Sequence, residues 1–211
     1  MPRRVYLIQG LAQNMSHWDK VLTHLPQDVP VTAIDMLTLG FEGDQFSWSR
    51  AAQELDSHIG EADAVICGLS SGAVIAAKHA ATYTSGRDHH YVLAAPQMNP
   101  RGWPSRMLLR RRRLIHRYIE FRTGRKLEPK KVASILEAYL TLDLRGDLTK
   151  ITSPVLVLVG RKDRVHYRPT VDIAQLVPHS ERVKLQRGTH ESNRSAPRQF
   201  AEQLSRSARS T

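Results

Sequence analysis

Only one cysteine, Cys67, occurs in 211 residues, so no internal disulfide can form and no disulfide-built fold is available. Long apolar runs are missing too; none approaches the roughly 20 residues that a membrane-crossing helix requires. Acidic side chains are scarce beside basic ones, and 20 Asp and Glu against 31 Lys and Arg leave a formal net charge of +11. There is no internal repeat, no grouping with metal-ligand spacing, and no phosphate loop, since Gly40 and Gly43 stand in Leu39-Gly40-Phe41-Glu42-Gly43 without the required pattern. The basic start Pro2-Arg3-Arg4 runs straight into a stretch that reads as a core strand, which argues against a signal peptide. These absences give the expectation of a cytoplasmic protein with no metal and no cofactor. A chain of 211 residues is expected to form one domain, residues 1–211, with a sizeable core.

What is present is an alternation of short β-branched runs with helical patterns. Strands are expected at residues 4–9, 31–35, 64–69, 90–95, 155–160 and 182–186, and helices at 16–25, 47–59, 71–83, 168–176 and 197–206. Such alternation implies an α/β fold: a predominantly parallel sheet of about six strands with helices on both faces. Residues 205–211 read as a loose tail.

The third of these strands leads into Val65-Ile66-Cys67-Gly68-Leu69-Ser70-Ser71-Gly72, followed by small and apolar residues at helical spacing. Gly-x-Ser-x-Gly between a strand and a helix marks a tight, strained turn that lifts the serine hydroxyl off the sheet edge. Glycines flank it because side chains there would collide with the neighbouring strand or helix. A serine near neutral pH needs a base, and the base needs an orienting acid. Asp163 lies three residues past the break of the strand Val155-Leu156-Val157-Leu158-Val159-Gly160, and His190 follows the strand around Val183. Ser70, Asp163 and His190 thus all fall just beyond the C-terminal ends of parallel strands, where open α/β sheets bind ligands. Asp35 precedes the serine and reads as structural. His17, His89, His90, His116 and His166 lack a comparable context.

The chain resembles the α/β-hydrolases over nearly its whole length. The first strand and loop, Val5-Tyr6-Leu7-Ile8-Gln9-Gly10-Leu11-Ala12, match the segment where that family builds half of its oxyanion hole. The resemblance implies that the backbone N–H groups of Leu11 and Ser71 stabilise a tetrahedral oxyanion. Trp18, eight residues beyond Gly10, has counterparts in many relatives, and Asp147-Leu148 resembles the family's exit from its cap. Gln9 stands where many relatives carry histidine. The serine follows the third strand rather than the fifth, so this is expected to be a minimal version of the fold. Between the fourth and fifth strands, residues 98–148 show two amphipathic helices and no strand, in the place of the family's small helical cap. Pro129 opens the second helix, with Val132, Ile135, Leu136, Tyr139 and Leu140 on one face.

The first of these helices carries Arg106, Arg110, Arg111, Arg112, Arg113 and Arg117. With Leu108, Ile115 and Ile119 as the apolar stripe, Arg111 and Arg112 flank it, while Arg110 and Arg113 point away. A solvated face is one reading; a landing site for an anionic partner, an acidic acyl carrier or coenzyme A, is the other. Nucleic acid fits poorly, because the run lacks interleaved aromatics. Together these features predict a cofactor-independent serine hydrolase that cleaves a small-molecule carboxylic ester or thioester through an acyl-enzyme. The alternatives are a lyase or cyclase with the same triad, or a binding protein that has lost turnover.

Overall fold

Two stretches that are apolar without interruption define the middle of the molecule. In the computed structural model, which describes residues 1–83, 86–99 and 111–210, β5 (Ala64–Leu69) and β7 (Val155–Gly160) are buried along their full length. Around them stand β1 (Arg4–Ile8), β2 (Val31–Ile34), β6 (His90–Ala94) and β8 (Ser180–Leu185) in a six-stranded sheet of order β2-β1-β5-β6-β7-β8. Every neighbouring pair is parallel. The edge strands β2 and β8 are only partly buried and carry polar side chains, as edges must.

Because side chains alternate along a strand, β1 divides its residues between two cores. Tyr6 and Ile8 join Ile66, Tyr91, Leu93, Val155 and Val157 on one face, under α2 (Trp48–Ile59) and α3 (Ser71–Thr82). Val5 and Leu7 join Val65, Cys67, Val92, Leu156 and Leu158 on the other, under Trp18, Val21 and α9 (Pro197–Arg209). In α9 the apolar positions Phe200, Ala201, Leu204 and Ala208 recur at helical spacing, and Phe200 meets Trp18 edge-on at 5.4 Å. Burial of a side chain the size of Phe200 or Leu204 contributes about 2 kcal/mol. Cys67 lies in this second core, where burial pushes its thiol pKa up.

Several local expectations are corrected. Residues 16–25 are not one helix: a 3₁₀ turn, Met15–Trp18, leads into the short α1 (Asp19–Leu22). A two-residue-per-strand hairpin, β3 (Phe41–Glu42) with β4 (Gln45–Phe46), fills the connection before α2. The segment from 205 to 210 is docked rather than loose, since α9 runs to Arg209, the Arg3 N–H donates to the Ala208 carbonyl at 2.9 Å, and Arg209 pairs with Asp28 at 2.6 Å. Between β6 and β7 the described residues form α4 (Arg112–Thr123), α5 (Pro129–Leu140) and α6 (Arg145–Leu148), followed after β7 by α7 (Arg164–Leu176) and, after β8, α8 (Ser192–Ser195). Arg106, Leu108 and Arg110 lie outside the described residues.

Candidate active site

The turn from β5 into α3 is under local strain at one residue. Ser70 holds φ 55° and ψ −111°, and it shares positive φ with Ala95 alone among the described non-glycine residues. Such a conformation costs on the order of 1–3 kcal/mol and persists only where the surroundings enforce it. Here they do. A side chain at Gly68 would overlap the Gly72 carbonyl, and one at Gly72 would stand 2.9 Å from the Gln9 carbonyl oxygen. The Ser70 N–H is tied to the Ala94 carbonyl at 2.8 Å, and the Ala95 N–H in turn to Leu158 at 2.8 Å. The strained serine is thereby fixed at the C-terminal edge of the sheet, at the first turn of α3.

The loop after β1 comes up against it. A Cβ on Gly10 would lie 3.3 Å from the Ser70 Cβ, so glycine lets this backbone reach the serine. The next N–H, that of Leu11, donates to Ser71 Oγ at 3.2 Å, and Ser71 Oγ is 2.5 Å from the Tyr139 hydroxyl. Sequence reasoning used only the backbone of Ser71 and counted Tyr139 as part of an apolar face. The structure brings the Ser71 hydroxyl to the Leu11 N–H and the Tyr139 hydroxyl to that of Ser71. Burial raises the Tyr139 pKa against the opposing pull of its hydrogen bond to Ser71, so the phenol is the protonated partner. Tyr139 is held by an edge-on contact with Trp48 at 4.8 Å, and the Trp48 indole N–H donates to the Ala138 carbonyl at 3.1 Å. Gln9 donates to Asp35 at 2.6 Å, and Asp35 also caps the Leu37 N–H at 2.9 Å and pairs with Arg125. Asp35 is therefore a structural tie between the first loop and the segment following α4.

Asp163 and His190 are brought together by two loops in backbone contact. The Lys162 N–H donates to the Gly188 carbonyl at 2.9 Å, while the Asp163 N–H turns back onto Gly160 at 2.9 Å. His190 Nδ1 then lies 3.2 Å from Asp163 Oδ2. The Asp163 side chain is 3% exposed and that of His190 is 40% exposed.

A second histidine reaches the same acid. His166, set aside in the sequence, has its Nδ1 2.9 Å from both Asp163 oxygens, and its N–H donates to Oδ1 at 3.2 Å. Its ring stacks on that of His190 with centroids 4.2 Å apart and planes 21° from parallel. Its Nε2 is 2.7 Å from the Gln97 side-chain amide. Burial opposes ionisation of Asp163, yet the hydrogen bonds from His166 and His190 outweigh it and hold the carboxyl well below the usual range. Asp163, His166 and His190 each offer a ligand atom within 4.8 Å of the others, which is a metal-sized spacing. Stacked rings, however, aim their in-plane lone pairs side by side rather than at one point. The arrangement suits a shared carboxylate better than an ion.

The remaining sequence candidates lie elsewhere. Arg111, Arg112 and Arg113 are exposed at the start of α4, with Ile119 buried beneath and Ile115 half-buried. His17 pairs with Asn14 at 2.8 Å, and His116 with the Leu127 carbonyl at 2.9 Å. His89 and His90 sit at the opposite end of β6 from Ala94.

The sequence profile of the alpha/beta hydrolase family matches residues 5–203. The chain belongs to this family. No curated protein sequence matches it. Among solved structures, this alpha/beta hydrolase is similar to the enol-lactonase from Burkholderia xenovorans LB400, with TM-score 0.77 and 20% identity over 97% of this chain and 90% of that one. A thermophilic esterase from Thermogutta terrifontis gives TM-score 0.75 and 19% identity over 96% and 88% of the two chains. A hydrolase from Pseudomonas aeruginosa gives TM-score 0.79 and 18% identity over 99% and 91%. At these identities the likeness is one of fold. No helix among the described residues is long and apolar enough to cross a membrane.

Proposed function

We propose that this alpha/beta hydrolase is a serine hydrolase that cleaves a carboxylic ester or thioester through an acyl-enzyme. The strained Ser70 backbone carries the reading, because φ 55° at the serine of a Gly-x-Ser-x-Gly turn between a strand and a helix is a cost that lifts its hydroxyl off the sheet edge. In this reading Ser70 Oγ attacks the carbonyl carbon as His190 Nε2 takes its proton. Asp163 accepts the Nδ1–H of His190, which keeps the Nε2 lone pair available and stabilises the imidazolium that forms. Leu11 and Ser71 offer N–H groups to the oxyanion, Leu11 by exchanging the 3.2 Å bond it makes to Ser71 Oγ for one to the substrate oxygen. His190 returns the proton to the leaving alcohol or thiol, and water then releases the acid by the same steps. Helices α4 and α5 act as a cap that shapes the acyl pocket, with Tyr139 of α5 reaching Ser71. The lactonase and esterase among the similar structures fit cleavage of an acyl–oxygen bond.

A fluorophosphonate probe tests this directly. Covalent labelling at Ser70, lost in Ser70→Ala, is the expected result. Labelling elsewhere or none at all removes the reading.

For the leaving group we infer an anionic carrier, an acidic acyl carrier or coenzyme A, because Arg111, Arg112 and Arg113 stand exposed in succession at the start of α4. Steering by exposed charges is screened as the Debye length falls from about 30 Å at low salt to about 8 Å at physiological strength. The ratio of kcat/KM for a coenzyme A thioester over that for a neutral ester should therefore fall with salt, and Arg112→Gln with Arg113→Gln should flatten it. A ratio that never moves returns the arginines to a solvated face.

A further inference from the structure

Asp163 serves two histidines where an acid–base pair needs one. We propose that His166 is a positioning residue of this pair: it fixes the Asp163 carboxylate toward His190 and competes with His190 for its negative charge. The proposal rests on the reading of Ser70, Asp163 and His190 as a triad.

Both ring nitrogens of His166 have polar partners. Its Nδ1 faces the ionised carboxylate at 2.9 Å and so carries a proton; its Nε2 lies 2.7 Å from the Gln97 amide. Both ring nitrogens are engaged, and the residue is buried. His190 differs on each count that matters for a base. It is partly exposed, and it spends Nδ1 on Asp163, leaving Nε2 as its proton-accepting atom.

A carboxylate has about four lone-pair sites. His166 supplies two donors, its backbone N–H and its ring, and its ring approaches closer than His190 does at 3.2 Å. Each donor stabilises the negative charge that would otherwise stabilise a His190 imidazolium, so protonation of His190 becomes less favourable. The donors also prevent rotation of the carboxylate, which sets Oδ2 toward His190. Other groups do not supply this. Gln97, from the end of β6, does not titrate. Arg164 and Arg168 on α7 are exposed, and Arg182 and Lys184 of β8 lie over the Tyr167 ring at 5.0 and 4.6 Å.

The test is the pH dependence of Ser70 inactivation by a fluorophosphonate, a readout that needs no knowledge of the substrate. His166→Phe keeps a ring in the stack and removes its donor. Its acid limb is expected about one pH unit higher than in the wild type. His166→Asn, which restores an amide N–H beside the carboxylate, should bring the limb back. An acid limb that stays put in a folded His166→Phe variant overturns the proposal and leaves His166 as packing. Loss of labelling at every pH, matching His190→Ala, overturns it differently, by making His166 the base. A wild-type protein that never labels at Ser70 removes the triad reading and this proposal with it, whereas an unmoved acid limb leaves the triad standing and a His166 base keeps Ser70 and Asp163 but displaces His190.

Discussion

Gly188 packs against Gly160 so closely that a Cβ on Gly188 would stand 2.7 Å from the Gly160 Cα. The contact joins the loop of Asp163 to the loop of His190, and the Lys162-to-Gly188 hydrogen bond beside it locks their register. Gly188→Ala must push the loops apart. The expected result is a loss of about 1–3 kcal/mol in unfolding free energy, as for other overpacked sites. Fluorophosphonate labelling should slow at least tenfold in the folded fraction, corresponding to about 1.4 kcal/mol of lost transition-state stabilisation. Denaturant melts and labelling kinetics on the same preparation check both.

Backbone strain at Ser70 predicts different stabilities for two inactive variants. Ser70→Ala keeps the strained φ and should melt close to the wild type. Ser70→Gly relieves it and should gain up to about 1 kcal/mol, the strain released less the extra freedom of the unfolded chain. Thermal melts of the two variants side by side decide this; equal melting temperatures would place no strain there.

The Ser71–Tyr139 pair lends itself to a double-mutant cycle. Ser71→Ala leaves the Tyr139 hydroxyl buried without its partner, an expected cost of about 1–3 kcal/mol. Tyr139→Phe alone should cost about 1 kcal/mol. Both together should destabilise by less than the sum, because no hydroxyl is then stranded. Denaturant unfolding of the four proteins measures the interaction, and strict additivity would mean that the hydroxyls do not interact.

Acid should loosen the fold through the histidines at the far end of the sheet. Burial lowers the pKa of His79 from 6.5 to about 4, with Asp56 pulling the other way and His89 and Arg87 reinforcing the decrease. The Tyr91 hydroxyl, at 2.8 Å from Nδ1, faces it as well. The unfolded chain therefore binds the proton first as pH falls, so stability is full above 6.5 and is lost from there down toward 4. His17, His89 and His90 are shifted in the same direction, chiefly by burial. Asp163 contributes only below the ordinary carboxylate range, since its pKa is depressed. Urea melts from pH 7 to 4.5 should show the decline, and His79→Gln should make it shallower.

The sheet could be read from sequence because its strands announce themselves. Val65-Ile66-Cys67 and Val155-Leu156-Val157-Leu158-Val159 are too apolar for any place but the middle, and all six strands lie within two residues of their expected ends. What escaped was short or non-local. The hairpin Phe41–Glu42 with Gln45–Phe46 offers two residues per strand, too few for alternation to register. Helix α7 starts a turn before its periodic pattern because Asp163 caps it, accepting the His166 N–H at 3.2 Å. Had Asp163 been read as that cap, His166 at the third helical position would have been placed beside the acid. Tyr139 carries no such signal: its spacing is that of an apolar face, and its partner Ser71 is 68 residues away.

The single thiol has an experimental consequence. Cys67 is fully buried in β5, three residues before Ser70, and burial keeps it protonated. A thiol reagent reaches it only when the central strand opens, so its modification rate is a clock for rare exposure of the sheet's middle, read without labels or mutations. Substrate-like inhibitors fixed on Ser70, just past the C-terminal end of that strand, should slow the clock, and by how much measures how firmly an occupied site holds the centre of the fold closed.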